Sequence, residues 1–311
     1  MVGLMLAIPA SAQQPSLKGR RIGGTVFVMV RDVAAYYGLG KDLAKSPERA
    51  EYASTNGRLT AQADDRDVTI NGVRHWLSVA VVEHEGRLWI SKTDVLKVVD
   101  PVLRHAVTAG KRTIDTVVLD AGHGGVDQGA RGRSGVEKTL TLDLAKRVEK
   151  ELAGRGVQVF QTRSRDRTLA LEERVEFATQ KKANLFVSIH LNSGGSAEGI
   201  ETYCVPAAGT ASTASGRSVE SAVPGNKFDE KNVWLAHCVQ KAALQGTGAA
   251  DRGVRRARFL VIREAVCPAI LVEGGFLSNR TEEQQLLDPE YREKLAKAIA
   301  AGILEYKKTT E

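Results

Sequence analysis

Residues 116–125, Thr-Val-Val-Leu-Asp-Ala-Gly-His-Gly-Gly, open the stretch whose pattern decides the fold. Thr116–Leu119 is a short apolar run with the β-branched bias of a buried strand, and it runs straight into a polar turn rich in glycine. Downstream, Glu137–Ala153 carries Leu140, Leu144, Val148 and Leu152 at the one-sided spacing of a helix, and Gly154 and Gly156 stop it. Val157–Thr162 then reads as a strand, Leu169–Lys181 as a helix, and Leu185–His190 and Ile200–Val205 as strands. Ala207–Val223 has the small, polar composition of a loop. Asp229–Gln245 and Pro289–Lys308 read as helices, with Phe259–Arg263 and Ala269–Val272 as strands between them. This alternation predicts an α/β domain: a mostly parallel twisted sheet flanked by helices.

Upstream, residues 18–108 follow a different pattern and predict a small α+β module. Val26–Val33 and Leu88–Val95 echo each other: a β-rich run, a polar junction containing aspartate, then a helical apolar stretch. Strand-like pieces Leu59–Ala63, Val68–Ile70 and Val73–Leu77 lie between them, with the hairpin signal Asn71-Gly72 joining the last two. His75, His84 and His105 are scattered through this block and read as surface or structural residues. Ala109–Arg112 reads as a linker, after which the second domain spans residues 114–308.

At about 100–200 residues per domain, 311 residues allow two or three domains. With 42% hydrophobic and 26% charged residues, the chain is no disordered, collagen-like or polytopic membrane protein. Cys204, Cys238 and Cys267 are too few for a disulfide scaffold and read as buried apolar residues. The formal charge of +7 is spread thinly: residues 1–110 carry 14 basic and 11 acidic side chains, the rest 30 and 26. That distribution, with 5% aromatics, argues against a nucleic-acid partner. Residues 1–12 read as a signal-peptide remnant, an apolar run closed by Ala10-Ser11-Ala12, which predicts export to the periplasm or cell envelope. The run falls short of the ~20 residues that span a bilayer, so the mature chain is expected to have no integral membrane segment.

In open α/β sheets ligands bind beyond the carboxyl ends of the strands. His123, His190 and Glu273 each follow or end an apolar strand, and Glu137 opens the helix after the first one. Two imidazoles and a carboxylate, with a fourth position left to water, form a donor set suited to catalytic zinc rather than to the all-oxygen shells of calcium or magnesium. The remaining carboxylate would then be free to move protons. Taken residue by residue, the bland readings stay open. A histidine after a strand can be hydrogen-bonded scaffolding, and Glu137 can simply complement a helix dipole. Glu273 resists such a reading, because an unpaired charge ending an apolar strand is expensive to bury.

Val117–Gly132 (VVLDAGHGGVDQGARG), Glu137-Lys138, Ser188–Ser193 and Val272–Asn279 together resemble the zinc-dependent N-acetylmuramoyl-L-alanine amidases of bacterial cell walls. The resemblance covers residues 114–308 and implies one Zn²⁺ held by His123, Glu137 and His190, with Glu273 as the catalytic carboxylate. It implies peptidoglycan as the partner, an activator protein as a second candidate partner, and hydrolysis of the muramoyl–L-alanine amide in wall remodelling or cell separation. Asn192 and Arg255 are candidate substrate contacts, Arg255 within the cluster Arg252, Arg255, Arg256 and Arg258; Asp120 is a candidate acceptor orienting the His123 ring. The 206–225 loop reads as a surface loop or lid. Residues 18–108 resemble the N-terminal module of copper amine oxidases, which implies a binding or positioning role. The rival expectations are a zinc carboxypeptidase-like peptidase and a wall-binding protein without catalysis.

Overall fold

A computed structural model describes residues 16–44, 46–108 and 113–311. The signal-like segment 1–12 and the linker residues 109–112 lie outside the described residues. Chain contacts divide the protein into two units, residues 1–110 and 111–311.

The first unit begins with β1 (Arg20–Ile22), β2 (Thr25–Met29) and α1 (Val30–Tyr36), followed by β3 (Arg49–Ser54), β4 (Gly57–Gln62), β5 (Asp67–Ile70) and β6 (Val73–Trp76). It continues with β7 (Val82–His84), β8 (Arg87–Ser91) and a helical run: α2 (Lys92–Asp94), a π-helical turn (Val95–Val99), α3 (Asp100–Leu103) and α4 (His105–Thr108). β1, β2, β8 and β7 form one antiparallel sheet, and β3 to β6 pair as an antiparallel meander. The two echoed segments are direct neighbours, since β2 pairs with β8 and each strand leads into a helix. Asn71 and Gly72 both take positive φ (51° and 83°), which is what a two-residue turn of this hairpin requires. β3 had no clear signal in the sequence. Its only buried apolar side chains are Ala50 and Tyr52, and the partner β4 rather than its own hydrophobicity makes it a strand.

The second unit comprises β9 (Thr116–Ala121), α5 (Glu137–Leu152), β10 (Gln158–Gln161), α6 (Leu171–Gln180), β11 (Leu185–Asn192) and β12 (Ile200–Cys204). A 3₁₀ turn (Pro224–Phe228) leads to α7 (Asp229–Thr247), β13 (Asp251–Arg256), α8 (Leu260–Arg263), β14 (Ala269–Phe276), α9 (Arg280–Leu287) and α10 (Pro289–Thr310). Its strands lie in the order β10-β9-β11-β14-β12-β13. The first four are parallel, whereas β12 runs antiparallel to β14 and β13 runs parallel to β12. The fold is therefore the expected mostly parallel sheet flanked by helices.

Two local expectations are corrected. Phe259–Arg263 was expected to be a strand, yet Leu260–Arg263 is one turn of helix, with Val261 and Ile262 both buried. A strand would turn one of two consecutive residues outward, so packing overrides the β-branched composition. The strand lies instead on Asp251–Arg256, whose polar sequence hides it and whose pairing with β12 creates it.

The sheet alternation places the core. Val118, Phe186, Leu271 and Tyr203 share one face and pack with Ala178, Val261 and Ile262 from the α6 and α8 side. The alternate residues Val117, Leu119, Val187, Ile270 and Val272 are equally buried and face the other side, where α5, α7 and α10 pack. α7 and α10 touch backbone to backbone at Gly302, where a Cβ would lie 2.5 Å from Val239 Cα. In an exposed helix Gly→Ala is stabilising by about 1 kcal/mol. Here the expected sign is reversed: Gly302→Ala should lower the unfolding free energy by about 1–3 kcal/mol, read as an earlier urea midpoint.

Candidate metal centre

The face that packs against α6 and α8 changes character toward the carboxyl ends of the parallel strands. Two residues beyond Val118 and Phe186 stand Asp120 and Ser188, which are paired in register, and two beyond Ser188 stands His190. His190 pairs with Glu273 on β14, and Glu273 pairs with Glu201 on β12. Period-two alternation thus puts Asp120, Ser188, His190, Glu273 and Glu201 on one face, continuous with the apolar layer behind them. Between His190 and Asn192 the pairing slips, because Asn192 opposes Phe276; the extra residue makes a bulge in β14 at Gly274-Gly275.

His123 and Glu137 arrive from outside the sheet. His123 lies in the loop after β9 with φ of 61°, a conformation rare for a residue with a Cβ. Arg174 Nη2 donates to the His123 carbonyl (2.9 Å), and its Nη1 donates to Asp120 Oδ1 and the Ala121 carbonyl (both 2.8 Å). The fully buried Arg163 donates to the carbonyls of Ala121, Gly122 and Lys138 (2.9, 2.8 and 2.7 Å). It thereby ties the His123 loop to the first turn of the Glu137 helix.

These supports bring three ligand-type groups together. Glu137 Oε1 lies 3.1 Å from His123 Nε2 and 2.9 Å from His190 Nδ1, and it accepts the Leu191 amide at 3.0 Å. Oε2 accepts the Ala130 amide at 2.6 Å. The two imidazole rings meet edge to face, with centroids 4.9 Å apart. One donor atom from each of His123, Glu137 and His190 lies within 4.8 Å of the others, so one ion with bonds of ~2 Å can reach all three. Two glycines keep this space: a Cβ at Gly122 would lie 2.4 Å from His190 Cε1, and one at Gly129 would lie 2.4 Å from Glu137 Oε2. Nitrogen and carboxylate donors at that spacing fit zinc.

Charge follows the same geometry. Burial alone would push the Glu137 carboxyl up, yet both imidazoles outweigh it and hold it well below the usual carboxylate range. Burial opposes a proton on His123, but Glu137 and Asp127 overcome it and raise its pKa. Glu273 lies at the opposite extreme. Burial, then the negative charges of Glu137 and Glu201, push its carboxyl well above the ordinary range. Its Oε2 is buried with no hydrogen-bond partner among the described residues. A cleft of about 220 Å³ opens beside these groups, lined by His123, His190 and Glu273 and by the apolar Leu171, Phe259 and Leu260.

Residues 117–305 match the N-acetylmuramoyl-L-alanine amidase family (Amidase_3). The chain belongs to this family. It is 34% identical over 194 residues to the N-acetylmuramoyl-L-alanine amidase LytC of Bacillus subtilis, covering 62% of this chain and 35% of LytC. The catalytic domain of CwlV, an amidase from Bacillus (Paenibacillus) polymyxa, superposes with a TM-score of 0.53 at 40% identity, covering 63% of this chain and 99% of that one. CwlD of Clostridioides difficile, solved in complex with the GerS lipoprotein, gives 0.53 at 29% identity, covering 62% of this chain and 98% of CwlD. The second unit is thus an amidase domain, and the protein is a hydrolase of this family. No helix among the described residues is long and apolar enough to cross a membrane.

Other residues singled out in the sequence take more varied places in the amidase domain. Asp120 does not orient the His123 ring. Its carboxylate accepts from Thr162 Oγ1, Ser188 Oγ and Arg174 Nη1 (2.6, 2.7 and 2.8 Å), while His123 Nδ1 meets Asp127 Oδ2 at 2.8 Å. The parity of β9 turns Asp120 toward α6, and it acts on His123 only through Arg174. Arg255 and Asn192 both meet the buried Glu201: Arg255 Nη1 at 2.7 Å, Asn192 Nδ2 at 3.3 Å. Arg252 Nε joins them at 2.5 Å. The arginine cluster is split, since Arg256 is buried against Cys204, and Arg258 donates to the Thr210 and Arg217 carbonyls, pinning the 206–225 loop. All three cysteines are free and buried. Sequence reasoning missed Asp127, Arg163 and Glu201. Arg163 stands just past the carboxyl end of β10, so the strand-end rule that found His123 was sufficient to find it.

Asp120 is held ionised: burial opposes its charge, but Arg174, Thr162 and Ser188 depress its pKa. A carboxylate with a depressed folded-state pKa stabilises above its unfolded value near ~3.9, and that contribution is lost as pH falls. Asp120→Asn, which leaves Arg174 buried without its counter-charge, should cost about 3–5 kcal/mol near neutral pH. The difference from the unsubstituted chain should shrink in urea unfolding below pH ~4. Gly122→Ala should displace the His190 ring and weaken zinc affinity ~10–100-fold, the scale found when the supports of a ligand are disturbed. Competition against a chromophoric chelator measures it, with circular dichroism reporting an intact fold.

Proposed function

We propose that the amidase domain hydrolyses the amide between the lactyl group of N-acetylmuramic acid and L-alanine in peptidoglycan, with one zinc ion held by His123, Glu137 and His190. The observation that carries the reading is the convergence of those three side chains beside Glu273, a carboxylate with a buried, unpartnered oxygen. Zinc, when bound, supplies Lewis acidity toward a water and toward the scissile carbonyl.

The remaining chemistry belongs to the chain. Glu273 faces the same cleft as His123 and His190. Its Oε2 takes a proton from the attacking water and returns it to the departing alanine nitrogen, since an amide nitrogen leaves as a neutral amine only once protonated. Glu273 must be ionised to take the water's proton, and a zinc cation bound beside it would offset the Glu137 and Glu201 charges that otherwise push its carboxyl up. Leu171, Phe259 and Leu260 make one wall of the cleft apolar and limit water there. Arg255 and Asn192, both anchored on Glu201, contact the stem peptide by hydrogen bonding.

Wall hydrolysis takes place outside the cytoplasm, in keeping with the signal-like segment at residues 1–12. A protein activator is compatible with the CwlD likeness, since that amidase was solved in complex with GerS. The first unit lies outside the family match, and its resemblance to the copper amine oxidase module supports a binding role.

Digestion of purified sacculi, with products identified by mass, should release intact stem peptides and stop with a chelator. Glu273→Gln should retain zinc and lose ~10²–10⁴-fold in rate. Full activity in that variant, or release of free amino acids instead of stem peptides, would refute the assignment.

A further inference from the structure

The first unit holds a cleft of about 160 Å³ lined by residues from several separate segments. Three arginines line it: Arg31 from the start of α1, Arg49 from the start of β3 and Arg87 from the start of β8. Their carboxylate neighbours do little to cancel this charge. Among the described residues Arg31 forms an ion pair with its sequence neighbour Asp32 alone, at 3.3 Å, and both are well exposed. Arg49 lies 3.4 Å from Glu51, which sits closer to Arg58 at 2.5 Å. Exposed pairs of this kind are weak, screened by solvent and by salt. Arg87 has no ion-pair partner among the described residues. The lining also holds one carboxylate, Asp42, whose Oδ1 accepts the amides of Ala44 and Glu51 (3.0 and 2.9 Å) and which hydrogen-bonds the Tyr52 side chain; the three guanidinium groups outnumber it.

We infer that this cleft binds an oxyanion group of the cell-wall polymer, a carboxylate or a phosphate, and so holds the chain on its substrate. The inference rests on the wall-amidase reading for the identity of the polymer. A cleft of about 160 Å³ has room for one carboxylate or phosphate group with its waters. Guanidinium groups match both anions through paired N–H donors. Tyr52 and Leu88 in the lining give an apolar floor for the carbon chain that bears the anion.

The test uses the full chain with Arg31→Gln, Arg49→Gln and Arg87→Gln combined. Binding to purified sacculi is read by cosedimentation on ice at low salt, beside hydrolysis of a soluble muramoyl-peptide and thermal unfolding. The expected result is a loss of sacculus binding of about tenfold or more, equivalent to ~1.4 kcal/mol, with soluble hydrolysis retained. If the triple variant fails to fold, Arg87→Glu alone, at an exposed strand end, should lower binding severalfold. Unchanged binding in a folded variant overturns the inference. Two treated sacculi distinguish the anion. Binding lost after carboxyl amidation identifies stem-peptide carboxylates, and binding lost after hydrofluoric acid stripping identifies wall phosphates. Binding that survives both treatments overturns the oxyanion site. Inactivity of the unsubstituted chain on the soluble substrate would count against the amidase reading alone, because sacculus binding is scored separately.

Discussion

The Glu137 carboxylate sits where three chain segments meet, accepting from two imidazoles and from the amides of Ala130 and Leu191. A buried carboxylate needs such partners, and here they are also the groups that can share an ion with it. Helix α5 presents Glu137 at its first residue, the β11 strand presents His190 at its carboxyl end, and the loop after β9 presents His123. A shift of any one segment removes at least one of the partners of this buried carboxylate. The site and the local fold therefore stabilise each other.

Two buried arginines carry the strain of that arrangement. His123 stands at positive φ, which the chain would not adopt without restraint. Arg174 restrains the loop through the His123 carbonyl, and Arg163 does so through Ala121 and Gly122 while also reaching Lys138 on α5. Asp120 supplies the negative charge that lets cationic groups stay inside, shared with hydroxyls from Thr162 and Ser188. On the other side of His190, Glu273 is left without a hydrogen-bond partner at Oε2 and next to two further carboxylates. The Glu137 carboxyl is thus pushed down and the nearby Glu273 carboxyl pushed up, the contrast on which the proposed division between ligation and proton transfer rests.

Arginines in this protein serve two ends, and the first unit has both kinds, with Arg104 buried on Asp100. In the amidase domain arginines are drawn inward, onto carbonyls and onto Asp120 and Glu201. In the first unit Arg31, Arg49 and Arg87 stay at the surface around a cleft, with weak or absent counter-charges.

Periodicity and strand-end position made much of this protein legible in advance. Apolar runs alternating with one-sided helical repeats indicated the sheet, and the rule that sites lie beyond strand ends picked out His123, His190 and Glu273. Glu137 was legible because it opens the helix behind a glycine-rich turn. Segments whose structure comes from a partner stayed hidden. Asp251–Arg256 is a polar strand that exists through β12, and Leu260–Arg263 is a helical turn despite a strand-like composition. Asp120 was assigned to the wrong neighbour for a related reason, since the sheet parity that aims it at Arg174 depends on a pairing no local pattern records. The chain alone determined which residues are candidates for chemistry, because residue type and period are local properties. The folded molecule decided which of them touch, because register, helix docking and the two buried guanidinium groups act between segments far apart in sequence.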